Sequence, residues 1–229
     1  MRENRKTFII LFTVTLLYTV YHYQGGVSFF LTYFHPQLAN RSARTIAVYY
    51  RWCMSFLLLG VVPACIVKFG FKDRLSRYGV TAKRPLVTVF ITLLGVVIAT
   101  PLAYFGAKNP VISYIYPLAK YSGVSLGRFI ESSVFYLLYY IGYEFFFRGF
   151  LFMGIKDDLG ELQAIGVSLI ASVLCHVTQP QSEMALAIVA GIAFPLVVSR
   201  LGSLLPGTII HAYMGIALDY WIIMRGGGF

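Results

Sequence analysis

Long apolar runs separated by short polar segments dominate the chain, without the periodic spacing of a surface helix or a half-buried strand. A helix needs about 20 apolar residues to cross the hydrocarbon of a bilayer. Runs of roughly that length occupy residues 7–24, 49–69, 86–106, 129–153, 163–179, 184–199 and 204–224. The pattern predicts about seven transmembrane helices. Two shorter apolar patches, Val27–Phe34 and Val111–Ala119, predict interfacial pieces or an eighth span.

Composition supports the same fold class, since 58% of the residues are hydrophobic and 12% are charged. Lipid offers no hydrogen-bond partners to the backbone, so helices are the solution for such runs. The loops are short, and the chain shows neither an internal repeat nor a segment polar enough for a soluble domain. We predict an all-α, polytopic transmembrane bundle of about seven to eight spans, with residues 1–229 forming one domain.

The net charge of +10 comes from basic residues at the ends of the apolar runs. Six of them cluster around the segment that connects the second and third runs: Lys68, Lys72, Arg74, Arg77, Lys83 and Arg84. Such clusters are typical of cytoplasmic loops. The first run is too long for a signal peptide and lacks a small-residue cleavage site, so it is interpreted as a mature helix. The charge pattern therefore predicts the bilayer as partner, a cytoplasmic N-terminus and no nucleic acid.

Ionisable side chains inside the predicted spans are few, and each costs about 2.5–3.5 kcal/mol near the centre of a membrane. In the four runs from residue 129 onward the set is Glu131, Glu144, Arg148, His176, His211 and Asp219. Glu131 lies close to the start of its span, where it can reach the headgroups. The remaining five lie deeper, so each of them is a candidate functional residue.

Glu144 and Arg148 are four residues apart, so they share one helix face and can pair. Alone they fit a structural ion pair equally well, and a single histidine is typically a packing residue. The combination of Glu with Arg, then His176, then His211 on three consecutive segments favours peptide hydrolysis. That reaction needs a base for water, a donor for the oxyanion and a cavity that holds the water. A serine protease fits poorly because the serines of these spans lie in no GxSxG-type turn. An aspartyl protease would need a second Asp in a span facing Asp219.

Three motifs carry a family resemblance: "YEFFFRG" at Tyr143–Gly149, "SVLCH" at Ser172–His176 and "PGTIIHAYMG" at Pro206–Gly215. Their order and spacing resemble the CPBP family (CAAX proteases and bacteriocin-processing proteins, also called Abi or type II CAAX prenyl proteases). Its signature is EExxxR, then FxxxH, then HxxxN or HxxxD. The resemblance covers about residues 129–219.

The resemblance implies an intramembrane glutamate endopeptidase with about eight helices. It places catalytic residues at Glu144, His176 and His211, with Arg148 in support. It also leads us to expect a multi-pass protein of a prokaryotic cell (inner) membrane.

Three positions depart from this signature. Tyr143 replaces the first Glu, which usually activates the water in this family, Ser172 replaces the Phe, and Gly215 replaces the last Asn or Asp. Our hypothesis is that Glu144 takes over as base and that the Tyr143 hydroxyl donates to the oxyanion. Asp219, two helical turns beyond His211, is a candidate second acid or orienting residue. The aromatic residue before Glu144 also resembles a myxosortase-like branch.

The implied function is cleavage near the membrane-associated C-terminus of a membrane protein, or of a lipidated or C-terminally tagged peptide. The alternative is a catalytically inactive binding or immunity protein on the same scaffold. A transporter with a Glu144, Arg148 and Asp219 relay would predict an inverted repeat. We expect no cofactor, and no metal because HExxH is missing.

Helix rise sets the depth of each candidate in the membrane. Glu144 and His211 differ by about 3 Å at 1.5 Å per residue, so they can meet. His176 is some thirteen residues along if its helix begins near Gln163, which is too deep to reach them; it matches their depth if the helix begins nearer Ser168 or tilts strongly.

Overall fold

The computed structural model describes residues 2–34 and 41–229, and these residues form nine helices and no strand. The helices are α1 (Arg2–Gln24), α2 (Val27–Tyr33), α3 (Arg41–Met54, continuing to Gly70), α4 (Pro85–Gly106), α5 (Pro110–Ile115), α6 (Leu126–Glu144, continuing to Leu159), α7 (Glu161–Leu174), α8 (Gln181–Leu201) and α9 (Leu205–Arg225). Single 3₁₀ turns occupy Leu75–Tyr78 and Ser122–Val124. The predicted all-α bundle is confirmed.

Four helices within the described ranges are long and apolar enough to cross a membrane. They are Ser42–Gly70, Pro85–Gly106, Gln181–Leu201 and Leu205–Arg225. Helix α6 is outside this group because Glu144, Arg148 and four tyrosines lower its hydropathy. The apolar helix α7 has only 14 residues. The protein is thus an integral membrane bundle, while the count of about seven spans stays a prediction for the other helices.

Helices α3 and α6 cross, and each contains a π-helical segment at or next to the crossing. In α3 the wide segment is Ser55–Val61, and in α6 it is Phe145–Met153. The backbones touch at this crossing, since an ideal Cβ on Gly142 would lie 2.5 Å from the Ser55 carbonyl oxygen. The Ser55 hydroxyl also donates to the Tyr139 carbonyl at 3.2 Å. Glycine at position 142 therefore permits the contact that fixes the α6 segment just before Glu144.

The start of α9 is held to the basic segment that precedes α4. The Leu204 amide donates to the Gly79 carbonyl at 2.9 Å, and the Ser203 hydroxyl donates to the Thr81 carbonyl at 2.7 Å. Farther along, the hydroxyls of Tyr213 and Thr100 in α4 form a 2.7 Å hydrogen bond. These bonds fix the height of α9 and place His211 six residues from its first residue.

The core of the bundle is aromatic around the wide turn of α6. Every residue from Phe145 to Phe152 is buried. Glu144 and Arg148 belong to the same buried stretch, at 1% and 2% exposure. Two opposite charges thus lie inside an apolar core, where each one needs a partner.

Candidate active site

The Glu144 carboxylate is held between two cationic or polar partners. Its Oε2 lies 3.5 Å from Arg148 Nε, one turn along the same helix. Its Oε1 lies 2.7 Å from Nδ1 of His211 in α9. Because Arg148 stays charged at any relevant pH, it compensates an ionised carboxylate. An ionised carboxylate only accepts hydrogen bonds, so His211 donates through Nδ1–H, and in the neutral imidazole Nε2 then carries the lone pair.

The Arg148 guanidinium is enclosed by aromatic faces. Its central carbon lies 5.5 Å from the ring centroid of Tyr143, 6.0 Å from that of Phe147 and 5.8 Å from that of Phe194. Cation–π contacts of this kind are worth more when the charge is desolvated. The rings therefore hold the Arg148 charge beside Glu144 and keep lipid away from it.

His176 lies in a turn after α7. The sequence predicted a span through residue 179, but α7 ends at Leu174, and the His176 amide donates to the Val173 carbonyl in a tighter turn. The His176 Nδ1 lies 2.8 Å from the Ser172 carbonyl oxygen. A carbonyl can only accept, so Nδ1 carries the proton, and Nε2 of the neutral ring is an acceptor.

The predicted depth mismatch of His176 is wrong because α6 extends farther than its apolar run. The polar residues after Met153 continue the helix to Leu159, and α6 and α7 meet at Gly160, which has a φ of +88°. Glu144 lies sixteen residues before Gly160, and His176 lies sixteen residues after it. Two antiparallel helices that share a turn bring such positions to similar depth. Glu144, Arg148 and His211 all lie within electrostatic range of His176.

Tyr143 lies between the two imidazoles. Its ring centroid is 5.6 Å from that of His211 and 6.2 Å from that of His176, and both contacts are edge-on. Its hydroxyl donates to the Ser172 carbonyl at 3.2 Å, so that carbonyl accepts from both Tyr143 and His176. Tyr143 therefore links α6 to the end of α7. In this arrangement the hydroxyl proton of Tyr143 is already engaged in the hydrogen bond to the Ser172 carbonyl.

Three buried polar atoms of the site have no hydrogen-bond partner among the described residues: Glu144 Oε2, Arg148 Nε and Arg148 Nη1. Unsatisfied polar groups are rare in native interiors and usually indicate a site that binds something polar. Beside them, an ideal Cβ on Gly207 would lie 3.6 Å from Glu144 Oε2. The missing side chain at position 207 leaves space next to the carboxylate.

Asp219 lies apart from this cluster. Its buried carboxylate is in electrostatic range of Lys120 and Glu183, and the Tyr116 hydroxyl donates to Glu183 Oε2 at 2.9 Å. The Asp219 carboxylate is also in electrostatic range of Tyr140, whose ring packs on the His211 imidazole. Among the described residues it forms no hydrogen bond or ion pair with Glu144, His176 or His211, because two further turns of α9 carry it toward α5.

Two aromatic residues at the site were missed by the sequence analysis. The ring of Tyr140 lies 4.5 Å from the His211 imidazole, centroid to centroid, and the ring of Phe194 lies 5.9 Å from it. Tyr140 precedes Glu144 by four residues, so helical spacing could have placed it on the same face. Phe194 carries no comparable signal in the sequence.

The part of the chain that the structure describes holds no cluster of three or more His, Cys, Asp and Glu side chains suited to a metal ion. The site as built from its residues is thus a carboxylate–imidazole pair with a buried guanidinium and a second imidazole nearby. Such a pair can accept and return a proton while its total charge stays balanced.

Comparison with known families adds to this geometry. Residues 126–217 match the family model described as Type II CAAX prenyl endopeptidase Rce1-like. This segment is similar to the CAAX protease family, which agrees with the resemblance of the three sequence motifs. No curated protein and no solved structure matches the chain.

The CAAX protease segment contains the whole candidate site, from Tyr143 through His176 to His211. Asp219 lies two residues beyond it. The match to this family model supports intramembrane protease activity in general, with the bilayer and peptide substrates as partners. The myxosortase-like branch stays a prediction.

Proposed function

We propose that the protein is an intramembrane endopeptidase that hydrolyses a peptide bond near the membrane-associated C-terminus of a protein substrate. The supporting observation is the 2.7 Å contact between His211 Nδ1 and Glu144 Oε1, with Arg148 3.5 Å from the other carboxylate oxygen. Glu144 and Arg148 belong to α6 and His211 to α9, and all three lie within residues 126–217, which match the family model.

Accessibility favours a route through the imidazole. The Glu144 side chain is 1% exposed, whereas the His211 side chain is 23% exposed. We therefore propose that the two act as one base, in which Glu144 orients His211 and Nε2 contacts the attacking water. The sequence-based hypothesis was water activated by Glu and His, with Glu144 as the base; we now propose that the proton passes through His211.

The reaction balances in two proton transfers. His211 Nε2 takes a proton from water, and the hydroxide forms a bond to the scissile carbonyl carbon. When the C–N bond breaks, the imidazolium returns the proton to the leaving nitrogen, which departs as an amine. Glu144 stabilises the imidazolium while it exists, as carboxylates do in other histidine-based hydrolases.

Arg148 and His176 have supporting roles in this proposal. Arg148 carries a permanent positive charge that keeps Glu144 ionised and favours negative charge developing nearby. His176 presents an acceptor Nε2, since its Nδ1–H is directed to the Ser172 carbonyl. That acceptor would orient the water or receive the substrate N–H.

The substrate class follows from the family of the segment. A type II CAAX prenyl endopeptidase acts on chains with a prenylated cysteine near the C-terminus, and we propose a lipidated or C-terminally tagged membrane protein here. The basic segment before α4 supports a cytoplasmic N-terminus. We further propose residence in a prokaryotic inner membrane.

The test compares membrane-protein C-termini by quantitative mass spectrometry in cells that express the wild type or Glu144→Gln. Glu131→Gln is the matched control, because Glu131 is an exposed partner of Arg128 on the same helix. We expect new, shortened C-termini with the wild type and the control, and none with Glu144→Gln. Equal products from all three proteins would refute the proposal.

The same experiment separates an enzyme from an inactive binding scaffold. One observation favours a scaffold: the Tyr143 hydroxyl, predicted to donate to the oxyanion, donates instead to the Ser172 carbonyl. A scaffold should tolerate either Glu144→Ala or His176→Ala without loss of phenotype. An enzyme should lose its product with each variant separately.

A further inference from the structure

Position 215 lacks the side chain that the CPBP signature carries one turn after its histidine, and another residue fills that space. An ideal Cβ on Gly215 would lie 2.1 Å from the Tyr140 hydroxyl oxygen and 3.1 Å from Cε1 of Tyr136. The Tyr140 hydroxyl thus occupies the volume in which a residue-215 side chain would begin. It comes from α6 instead of α9.

Resting on the proposed function, we propose that Tyr140 is a further catalytic residue, whose hydroxyl donates a hydrogen bond to the oxyanion of the tetrahedral intermediate. Three observations on the arrangement of the site support this role.

First, Tyr140 lies on the face of α6 that carries Glu144, one turn earlier. Its ring packs on the His211 imidazole at 4.5 Å between centroids, and its hydroxyl reaches Gly215, one turn along α9 from His211. The hydroxyl is therefore a neighbour of the proposed base. The proposal places the oxyanion of the tetrahedral intermediate beside this hydroxyl.

Second, the tyrosine hydroxyl that the sequence analysis favoured for the oxyanion is already engaged. The Tyr143 hydroxyl donates to the Ser172 carbonyl at 3.2 Å. Arg148 lies 3.5 Å from Glu144 Oε2, and its charge favours negative charge nearby. A hydroxyl donor at Tyr140 would add a directed hydrogen bond to the effect of that charge.

Third, the Tyr140 hydroxyl has a suitable neighbour of its own. The Tyr136 ring lies 4.7 Å from the Tyr140 ring, and both Tyr136 Cε1 and the Tyr140 hydroxyl oxygen lie within 3.1 Å of the ideal Cβ position of Gly215. If the Tyr136 hydroxyl donates to the Tyr140 oxygen, the Tyr140 proton stays available for another acceptor. Donation from Tyr136 would make Tyr140 a stronger donor to that acceptor.

The test uses purified protein in lipid nanodiscs and a farnesylated peptide that ends in a CAAX sequence. Tyr140→Phe removes the hydroxyl and keeps the ring that packs on His211. We expect kcat to fall about 100-fold or more, as for loss of one oxyanion donor, with KM and thermal unfolding unchanged. Tyr139→Phe is the matched control, since Tyr139 is the adjacent residue and faces Arg51, and it should keep wild-type kcat.

A swap of the two side chains gives a second readout. Gly215→Asn alone should lose activity, because its Cβ would overlap the Tyr140 oxygen. Tyr140→Ala opens that space, so the double variant Tyr140→Ala with Gly215→Asn should recover about 10-fold or more over Tyr140→Ala alone. Gly215→Leu fills the same space without a hydrogen-bond donor, so a hydroxyl that only packs against α9 would be replaced equally well by Leu and by Asn, whereas an oxyanion donor would be replaced by Asn alone.

The outcomes separate this inference from the proposed function. Wild-type turnover that is lost in Glu144→Gln and kept in Tyr140→Phe would overturn the role of Tyr140 alone. A double variant no more active than Tyr140→Ala would do the same. No difference between the wild type and Glu144→Gln, on the peptide and on cellular C-termini alike, would overturn both.

Discussion

Gly142→Ala is predicted to disturb the site through the crossing of α3 and α6, without touching a reacting group. The new Cβ would lie 2.5 Å from the Ser55 carbonyl oxygen, 2.8 Å from its carbonyl carbon and 2.9 Å from the Phe56 Cα. These are backbone atoms, so no rotamer change can relieve the overlap. The helices must separate by roughly 1 Å to reach ordinary van der Waals contact.

Gly166→Ala in α7 is the matched control, since a Cβ there meets nothing within 4 Å. Both variants gain up to about 1 kcal/mol of helix propensity. Overpacking costs about 1–3 kcal/mol, and contact with backbone favours the upper part of that range. We therefore expect Gly142→Ala to be about 2–3 kcal/mol less stable than Gly166→Ala.

The assay is reversible unfolding of both variants in mixed micelles, paired with turnover of the farnesylated peptide. Because Glu144 follows Gly142 by two residues, a shift of about 1 Å should lower turnover by up to about 100-fold. Gly166→Ala should keep wild-type turnover. Equal stability and equal turnover in the two variants would refute the argument that this backbone contact positions the site.

Three further predictions concern the charges of the site. Arg148→Met should destabilise the protein by about 3–5 kcal/mol in the same unfolding assay, because it leaves the Glu144 charge buried without its partner, whereas Glu131→Gln should cost less than about 1 kcal/mol. His176→Asn keeps an N–H for the Ser172 carbonyl and removes Nε2, so unfolding should be unchanged while peptide turnover falls; wild-type turnover would remove His176 from the mechanism. Turnover should survive dialysis against a strong chelator, and loss that zinc restores would contradict the metal-free prediction.

Hydrophobic patterning was enough to predict the all-α bundle. The two apolar patches left as interfacial pieces or an eighth span overlap the short helices α2 and α5. The same patterning placed the end of α6 near residue 153, six residues before its end at Leu159. The polar sequence after Met153 reads as a loop in lipid. The helix continues because the residues beyond the apolar run lie at the end of the bundle, where Thr7 of α1 bonds Asp158.

The site itself was only partly predictable. Spacing of four residues predicted the pairing of Glu144 with Arg148, and motif order brought His211 into consideration. The local sequence did not predict the π-helical segment Phe145–Met153, which begins directly after Glu144. Asp219 was placed near His211 by helical angle alone, although two turns of rise carry it to Lys120 instead.

The central claim, that Glu144 and His211 act as one base, is tested most directly by a double-mutant cycle. Turnover of the farnesylated peptide would be measured for the wild type, Glu144→Gln, His211→Asn and the double variant. Residues that act as a unit are strongly non-additive, so the double variant should be no slower than the slower single variant. Losses that multiply in the double variant would show two independent groups and contradict the account.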